Sequence, residues 1–221
     1  MNHGNGSATV PDEEFWDARY AERDRIWSGN PNAVLVREVH DRAPGSALEL
    51  GCGEGADAIW LATQGWRVTA VDVSGVALGR AAEQAAAVGV ADRIDWQRRD
   101  LAVSFPEGSF DLVSAQFLHQ PGEIFREGIL RTAVAAVAPG GVLLIVGHAG
   151  VPPWEHDHEH DHDDAHPVEQ FPTTQEVLTA LALPPEEWEV QLSEEFARVH
   201  NGPDGQPVER IDAALKVRRR G

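Results

Sequence analysis

The chain has 221 residues, 36 of them acidic and 18 basic, for a formal charge of −18 with its histidines neutral. That length suits one domain with a sizeable core, and the charge repels a phosphate backbone, which argues against nucleic acid as a partner. Cys52 is the single cysteine and excludes an internal disulfide; no apolar run reaches the ~20 residues of a membrane helix, and the opening MNHGNGSATVPDEE lacks a basic-then-apolar signal, so a soluble cytoplasmic protein is expected.

Phe15, Trp16 and Tyr20 among charges predict an amphipathic helix over residues 12–25, broken by WSGNP at 27–31. Pro31 then opens a second helix to about Asp41, with Asn30 as its cap. Phe15, Trp16, Tyr20 and Trp27 supply more aromatic surface than a free helix would expose, so residues 1–43 are expected to fold over a site as a helical lid. ALEL, at 47–50, is a short apolar run between PGS and Gly51 and reads as the first strand. The following helix carries Ile59, Trp60 and Leu61 and stops at Gly65. WRVTAVD (66–72) is the second strand, Ser74 caps an alanine-rich helix to about Val88, and RIDWQ (93–97) is the third strand.

FDLVSAQ (110–116) makes the fourth strand, a helix covers about 123–137, and a turn at Pro139, Gly140 and Gly141 leads into a fifth strand, VLLIVG (142–147). EHDHEHDHDDAH (155–166) is low-complexity and reads as an exposed loop. Thr173 and Glu176 form a capping-box pattern opening a helix to about Ala182. WEVQLSEEFARV (188–199) and DAALKVRRR (212–220) read as two strands joined through NGPDGQP. Alternating strands and helices predict a single α/β domain over 1–221, with a parallel sheet covered on both faces and an antiparallel end.

LELGCGEG (48–55) is the stretch that carries chemistry. A strand feeding a glycine-rich turn and then a helix surrounds a ligand's polar end with backbone N–H groups. GCGEGA also fits the dinucleotide pattern G-x-G-x-x-G/A, with Asp72 about 20 residues on, so a nicotinamide oxidoreductase stays open at this point. Three features favour S-adenosylmethionine. Glu49 repels a pyrophosphate but suits an ammonium and a sulfonium, Asp100 in RRDL can accept from an adenine amino group, and no second domain is present for hydride chemistry.

Together LELGCGEG, VTAVDVS, RRDL and APGG resemble the class I S-adenosylmethionine-dependent methyltransferases over about residues 44–148, and the terminal hairpin resembles the family's sixth and seventh strands. The resemblance implies a Rossmann-like, doubly wound, seven-stranded sheet, mostly parallel with an antiparallel final hairpin. FWDARYAERDRIWSGNPN looks like the opening of the branch holding tellurite-resistance and thiopurine methyltransferases. Carried over, the resemblance puts Glu49, Gly51 and Gly53 at the methionyl end, Asp72 on the ribose hydroxyls, Asp100 and Leu101 at the adenine, Trp27 over the cofactor and Gln116 beneath it. Cys52 and Val73 complete the cofactor side. Cys52 is not expected to be a nucleophile, because a small residue is needed between the two glycines and no histidine lies near in sequence.

His119 and His148 follow the fourth and fifth strands, where an open parallel sheet binds its ligands, and are the candidate catalytic bases for a small-molecule acceptor. Five histidines in 155–166 alternate with acids but lack H-x-x-x-H spacing, so no metal site is assigned. The competing readings are a sugar or other hydroxyl O-methyltransferase with a histidine base, a thiol or chalcogen methyltransferase, and a non-catalytic S-adenosylmethionine- or metal-binding protein. A monomer or homodimer fits all of them.

Overall fold

The computed structural model describes residues 12–118, 127–150, 171–201 and 207–221. Seven strands form one sheet in the order β3-β2-β1-β4-β5-β7-β6. They are β1 (Ser46–Leu50), β2 (Arg67–Asp72), β3 (Ile94–Arg98), β4 (Phe110–Gln116), β5 (Val137–His148), β6 (Trp188–Asn201) and β7 (Pro207–Arg219). The first five run parallel, while β7 is antiparallel to both β5 and β6. The expected architecture is therefore the observed one.

Both faces of the sheet are buried, and the side-chain period of two divides each strand between two cores. Leu112, Val142 and Leu144 join one core with Leu35 of α2 (Ala33–Val39), Leu61 of α3 (Ala56–Thr63) and Ala85 of α4 (Gly75–Ala87). Their neighbours Val113 and Leu143 face the other, with Leu130 of α5 (Glu127–Ala135) and Val177 and Leu181 of α6 (Thr174–Leu181). This is why the central strands read as continuous apolar runs. Among the described residues no helix is long and apolar enough to cross a membrane.

Several boundaries differ from the sequence reading. Helix α1 covers only Asp12–Ala21, and Asn32 rather than Asn30 caps α2, its side chain accepting from the Val34 N–H, so Pro31 lies outside the helix. Pro139, Gly140 and Gly141 do not turn the chain into β5 but form a bulge inside it: Phe110 pairs with Val137, and Leu112 with Val142. Gly140 sits at φ +77°, and a Cβ on Gly141 would lie 2.9 Å from the Phe110 carbonyl oxygen, so glycine lets the bulge close against β4. Strand β7 starts at Pro207, five residues before the predicted start. The caps at Ser74 and at Thr173 with Glu176 are as predicted.

Helix α1 is fastened to the start of α4. Asp17 Oδ1 accepts from the Ser74 hydroxyl at 2.5 Å and from the Val76 N–H at 3.2 Å, a favourable place for a carboxylate at a helix N-terminus.

Candidate active site

The parallel strands end along one rim, and the loops leaving it enclose a cavity of about 620 Å³, within the range of cofactor and small-molecule sites. The glycine loop forms one wall. Gly51, Gly53 and Gly55 adopt φ of +68°, +51° and +79°, and a Cβ on Gly55 would lie 2.7 Å from both the Ala81 Cβ and the Trp96 ring. The turn thus requires glycine both for its left-handed backbone and for its close approach to α4.

Glu49, from β1, and Asp57, from the first turn of α3, share that wall. Glu49 is 1% exposed, and its Oε2 has no hydrogen-bond partner among the described residues. Burial and then the Asp57 charge push its carboxyl well above the usual range, against the Ser114 hydroxyl. Asp57 accepts from the Asn32 N–H at 2.6 Å, and burial raises its pKa to about 6. A buried acid with an unsatisfied oxygen beside a second acid is matched by a cation. The ammonium and sulfonium of S-adenosylmethionine fit that requirement, and a pyrophosphate does not.

Asp72, at the end of β2, accepts from the Gly53 N–H at 2.7 Å through Oδ2 and from the Ser74 N–H at 2.9 Å through Oδ1. It ties the glycine loop to the start of α4, and each oxygen keeps a lone pair for a hydroxyl. Val73, Asp100 and Leu101 continue the lining, with Asp100 accepting from the Ala102 N–H at 2.8 Å. Gln116 is buried at the end of β4; its amide donates to Ser114, while its Oε1 has no partner among the described residues. Gly51 and Cys52 also line the cavity, and burial pushes the Cys52 thiol up, away from the thiolate form a nucleophile needs. Gly53 is not part of the lining: its N–H is held by Asp72, and a Cβ there would meet the Tyr20 hydroxyl at 2.8 Å.

The segment after α1 closes one side. Trp27 donates its indole N–H to the Tyr20 hydroxyl at 3.1 Å. Glu54 Oε2 accepts from the Ile26 and Trp27 N–H groups at 3.2 and 3.1 Å, while Oε1 takes Arg80 at 3.1 Å. Neither Glu54 nor Asp57 was singled out in the sequence. An acid inside a glycine loop and another in the next helical turn were the available signals.

His148 ends β5 at the opposite wall. Its Nδ1 lies 2.8 Å from Asp212 Oδ1, and its Nε2 lies 3.3 Å from Arg210 Nη1. Arg198 Nε donates to the other Asp212 oxygen and lies over the Phe117 ring. These partners hold the Asp212 carboxyl below its usual range despite its burial. Arg198, Arg210 and Asp212 had no local motif to announce them, because β6 and β7 deliver them from positions far from His148 in sequence. His119 and the tract at 155–166 lie outside the described residues.

Residues 47–141 match the family model described as "Methyltransferase domain". The chain is 34% identical over 133 residues to a ribosomal RNA small subunit methyltransferase C from Alcanivorax borkumensis, covering 58% of this chain and 40% of that one. It is 29% identical over 160 residues to 2-heptyl-1-hydroxyquinolin-4(1H)-one methyltransferase from Mycobacteroides abscessus, covering 69% of this chain and 66% of that one. The chain thus spans less than two thirds of the length of these curated relatives. The structure of N-methyltransferase NodS from Bradyrhizobium japonicum with S-adenosyl-l-homocysteine matches with a TM-score of 0.62 at 21% identity, over 94% of this chain and 98% of that one. TehB from Haemophilus influenzae matches with a TM-score of 0.65 at 17% identity, over 95% and 67%. Both likenesses show the same fold.

Proposed function

We propose, from the premise that the chain belongs to the class I S-adenosylmethionine-dependent methyltransferases, that it methylates a small-molecule acceptor held beside His148. One observation carries this reading: a single cavity joins the acidic glycine-loop wall to the His148–Asp212 pair. When bound, the cofactor supplies a methyl carbon already activated by a sulfonium. The chain's residues then have three tasks, which are to align the acceptor, keep water out and remove a proton where the acceptor carries one.

Glu49 and the loop at Gly51 would hold the methionyl end, Asp72 the ribose hydroxyls, and Asp100 with Leu101 the adenine. Trp27, kept in place by Tyr20 and Glu54, would close the cofactor side, with the described residues 12–43 as a lid. Asp212 would hold the His148 proton on Nδ1, and Nε2, which lies 3.3 Å from Arg210 Nη1, would take a hydroxyl or amine proton when the acceptor displaces that contact. The charge of −18 supports a small acceptor over RNA, and the quinolone relative's printed name agrees with that choice.

Calorimetric titration with S-adenosylhomocysteine and NAD in parallel tests the reading. The homocysteine product is expected to bind and NAD not to; tight NAD binding would overturn it. Product profiling with isotopically labelled methyl donor then identifies the acceptor.

A further inference from the structure

Strand β5 carries a glycine at 147, between Val146 and His148, where the backbone itself requires none. Its φ lies outside the left-handed region, and among the described residues no atom stands within 4 Å of the place a Cβ would take. Inside a strand, glycine gives up side-chain packing and costs chain entropy, so its presence calls for a bulge, a bend or the close approach of another backbone or a ligand. Gly147 pairs with Ala213 in a β5–β7 register that runs unbroken from Val142 to His148, so no bulge accounts for it. Among the described residues no other backbone comes near. What remains is a ligand.

The missing side chain helps to open a second cavity, of about 60 Å³, on the α5 and α6 side of the sheet. Its walls include Ala115, Leu130, Ile145, Val177 and Leu215, all part of the core on that face. Leu118, Val146 and His148 line both this cavity and the larger one, so an acceptor seated against His148 borders both spaces. The Thr174 hydroxyl in the wall is already engaged, donating to Glu195 at 3.2 Å and accepting from Ser193 at 2.9 Å. A water settles where it finds about two to four polar partners, and apolar walls of this kind offer it few. Apolar cavities of about 150 Å³ stay dry and take up benzene; at less than half that volume, this one suits a short alkyl group.

We propose that the cavity beside Gly147 is a subsite of the methyl acceptor, taking an alkyl group of about three or four carbons borne close to the atom that is methylated. The proposal rests on the methyltransferase reading of the larger cavity and adds the acceptor's shape and polarity to it. Acceptors trimmed of that group are discriminated against by roughly tenfold or more, the size of a methylene or two lost from an apolar pocket.

Gly147→Ala and Gly147→Val fill the space in steps, since a Cβ there meets no described atom. The probe is isobutanol, titrated into S-adenosylhomocysteine-loaded protein with isotopically labelled isoleucine, leucine and valine methyl groups. Saturable NMR shifts are expected at Ile145, Val177 and Leu215 in the wild type, weaker ones in Gly147→Ala and none in Gly147→Val. On the acceptor found by product profiling, Gly147→Val is expected to raise KM roughly tenfold or more and to narrow the preference over a homologue lacking the alkyl group by the same factor. Retained S-adenosylhomocysteine affinity shows that each variant is folded, and Gly147→Ala carries the comparison if Gly147→Val does not fold. No saturable shift in the wild type, shifts that persist in Gly147→Val, an unchanged KM or an acceptor without an alkyl group overturns the subsite alone. A wild-type protein that takes no S-adenosylhomocysteine overturns the methyltransferase reading together with it.

Discussion

Glu54 and Trp27 are joined by a hydrogen bond of 3.1 Å from the Trp27 N–H to Glu54 Oε2, so a residue of the glycine loop holds the segment that closes over the cavity. Arg80 keeps the Glu54 carboxylate in place from α4. The glycine loop and the Trp27 segment are therefore one mechanical unit. Glu54→Ala removes three bonds at once and leaves a part-buried guanidinium unmatched, which is expected to cost on the order of 1–3 kcal/mol of stability. S-adenosylhomocysteine affinity is expected to fall with it, read by calorimetry beside urea denaturation. An affinity equal to wild type would show that the Trp27 segment does not cover the cofactor.

Asp72→Ala is expected to damage both folding and binding, because the carboxylate already serves the Gly53 and Ser74 N–H groups. The loss of cofactor affinity is expected to be about 1.5–3 kcal/mol if the ribose hydroxyls bond there. Asp72→Asn retains one acceptor oxygen and is expected to be milder in stability. A destabilised but tightly binding Asp72→Ala protein would place the ribose elsewhere.

Asp57, with its pKa raised to about 6 by burial, makes the site sensitive to pH. An acid whose folded pKa stands above its unfolded value contributes full stability below the unfolded pKa, and that contribution is lost as pH rises through the folded one. The cofactor-free protein is expected to lose stability from about pH 4 to about pH 6 through this group, and Glu49 acts in the same direction. Asp57→Asn is expected to flatten that slope in denaturation curves. A cationic cofactor favours the ionised acids, so S-adenosylmethionine affinity is expected to strengthen as pH rises through the same range. An affinity constant from pH 5 to pH 7.5 would remove these carboxyls from the methionyl end.

His148→Ala separates acceptor classes. With a hydroxyl or amine acceptor, turnover is expected to fall roughly a hundredfold or more, the usual size of a general-base contribution. A thiolate or chalcogen anion arrives without the proton, and the same change is expected to cost little. Asp212→Asn is expected to follow His148→Ala in the first case, since an amide cannot hold the Nδ1 proton as a carboxylate does. Initial rates on the acceptor found by product profiling decide between them. If Asp212→Asn keeps full rate while His148→Ala does not, the pair does not act as a unit.

The glycine loop, the acids at the ends of β1 and β2 and the caps of α4 and α6 were legible because each depends on a few adjacent residues. Gly51, Gly53 and Gly55 announce a left-handed turn, and Ser74 and Thr173 announce helix starts by local bonds. Asn32 was displaced by Asn30 in the reading because the true cap is chosen by where the chain docks: the Asn32 N–H is taken by Asp57 of another helix. The bulge at Gly140 likewise depends on its neighbour β4, which keeps the chain in register on both sides of it.

The sequence by itself determined the order of strands and helices, the two-faced burial of the sheet and the acids at the ends of β1 and β2 beside the glycine loop, because apolar period, turn chemistry and a strand-end acid are local properties. Only the tertiary structure decided the cavity wall at His148. His148, Arg198, Arg210 and Asp212 meet because β7 inserts between β5 and β6 with one particular register, pairing His148 with Asp212 and Arg198 with Arg210. A shift of β7 by one residue would turn Arg210 and Asp212 to the opposite face, away from His148 and Arg198. Register between strands so far apart in the chain is set by the packing of the whole sheet against its helices, and no short stretch of residues carries it.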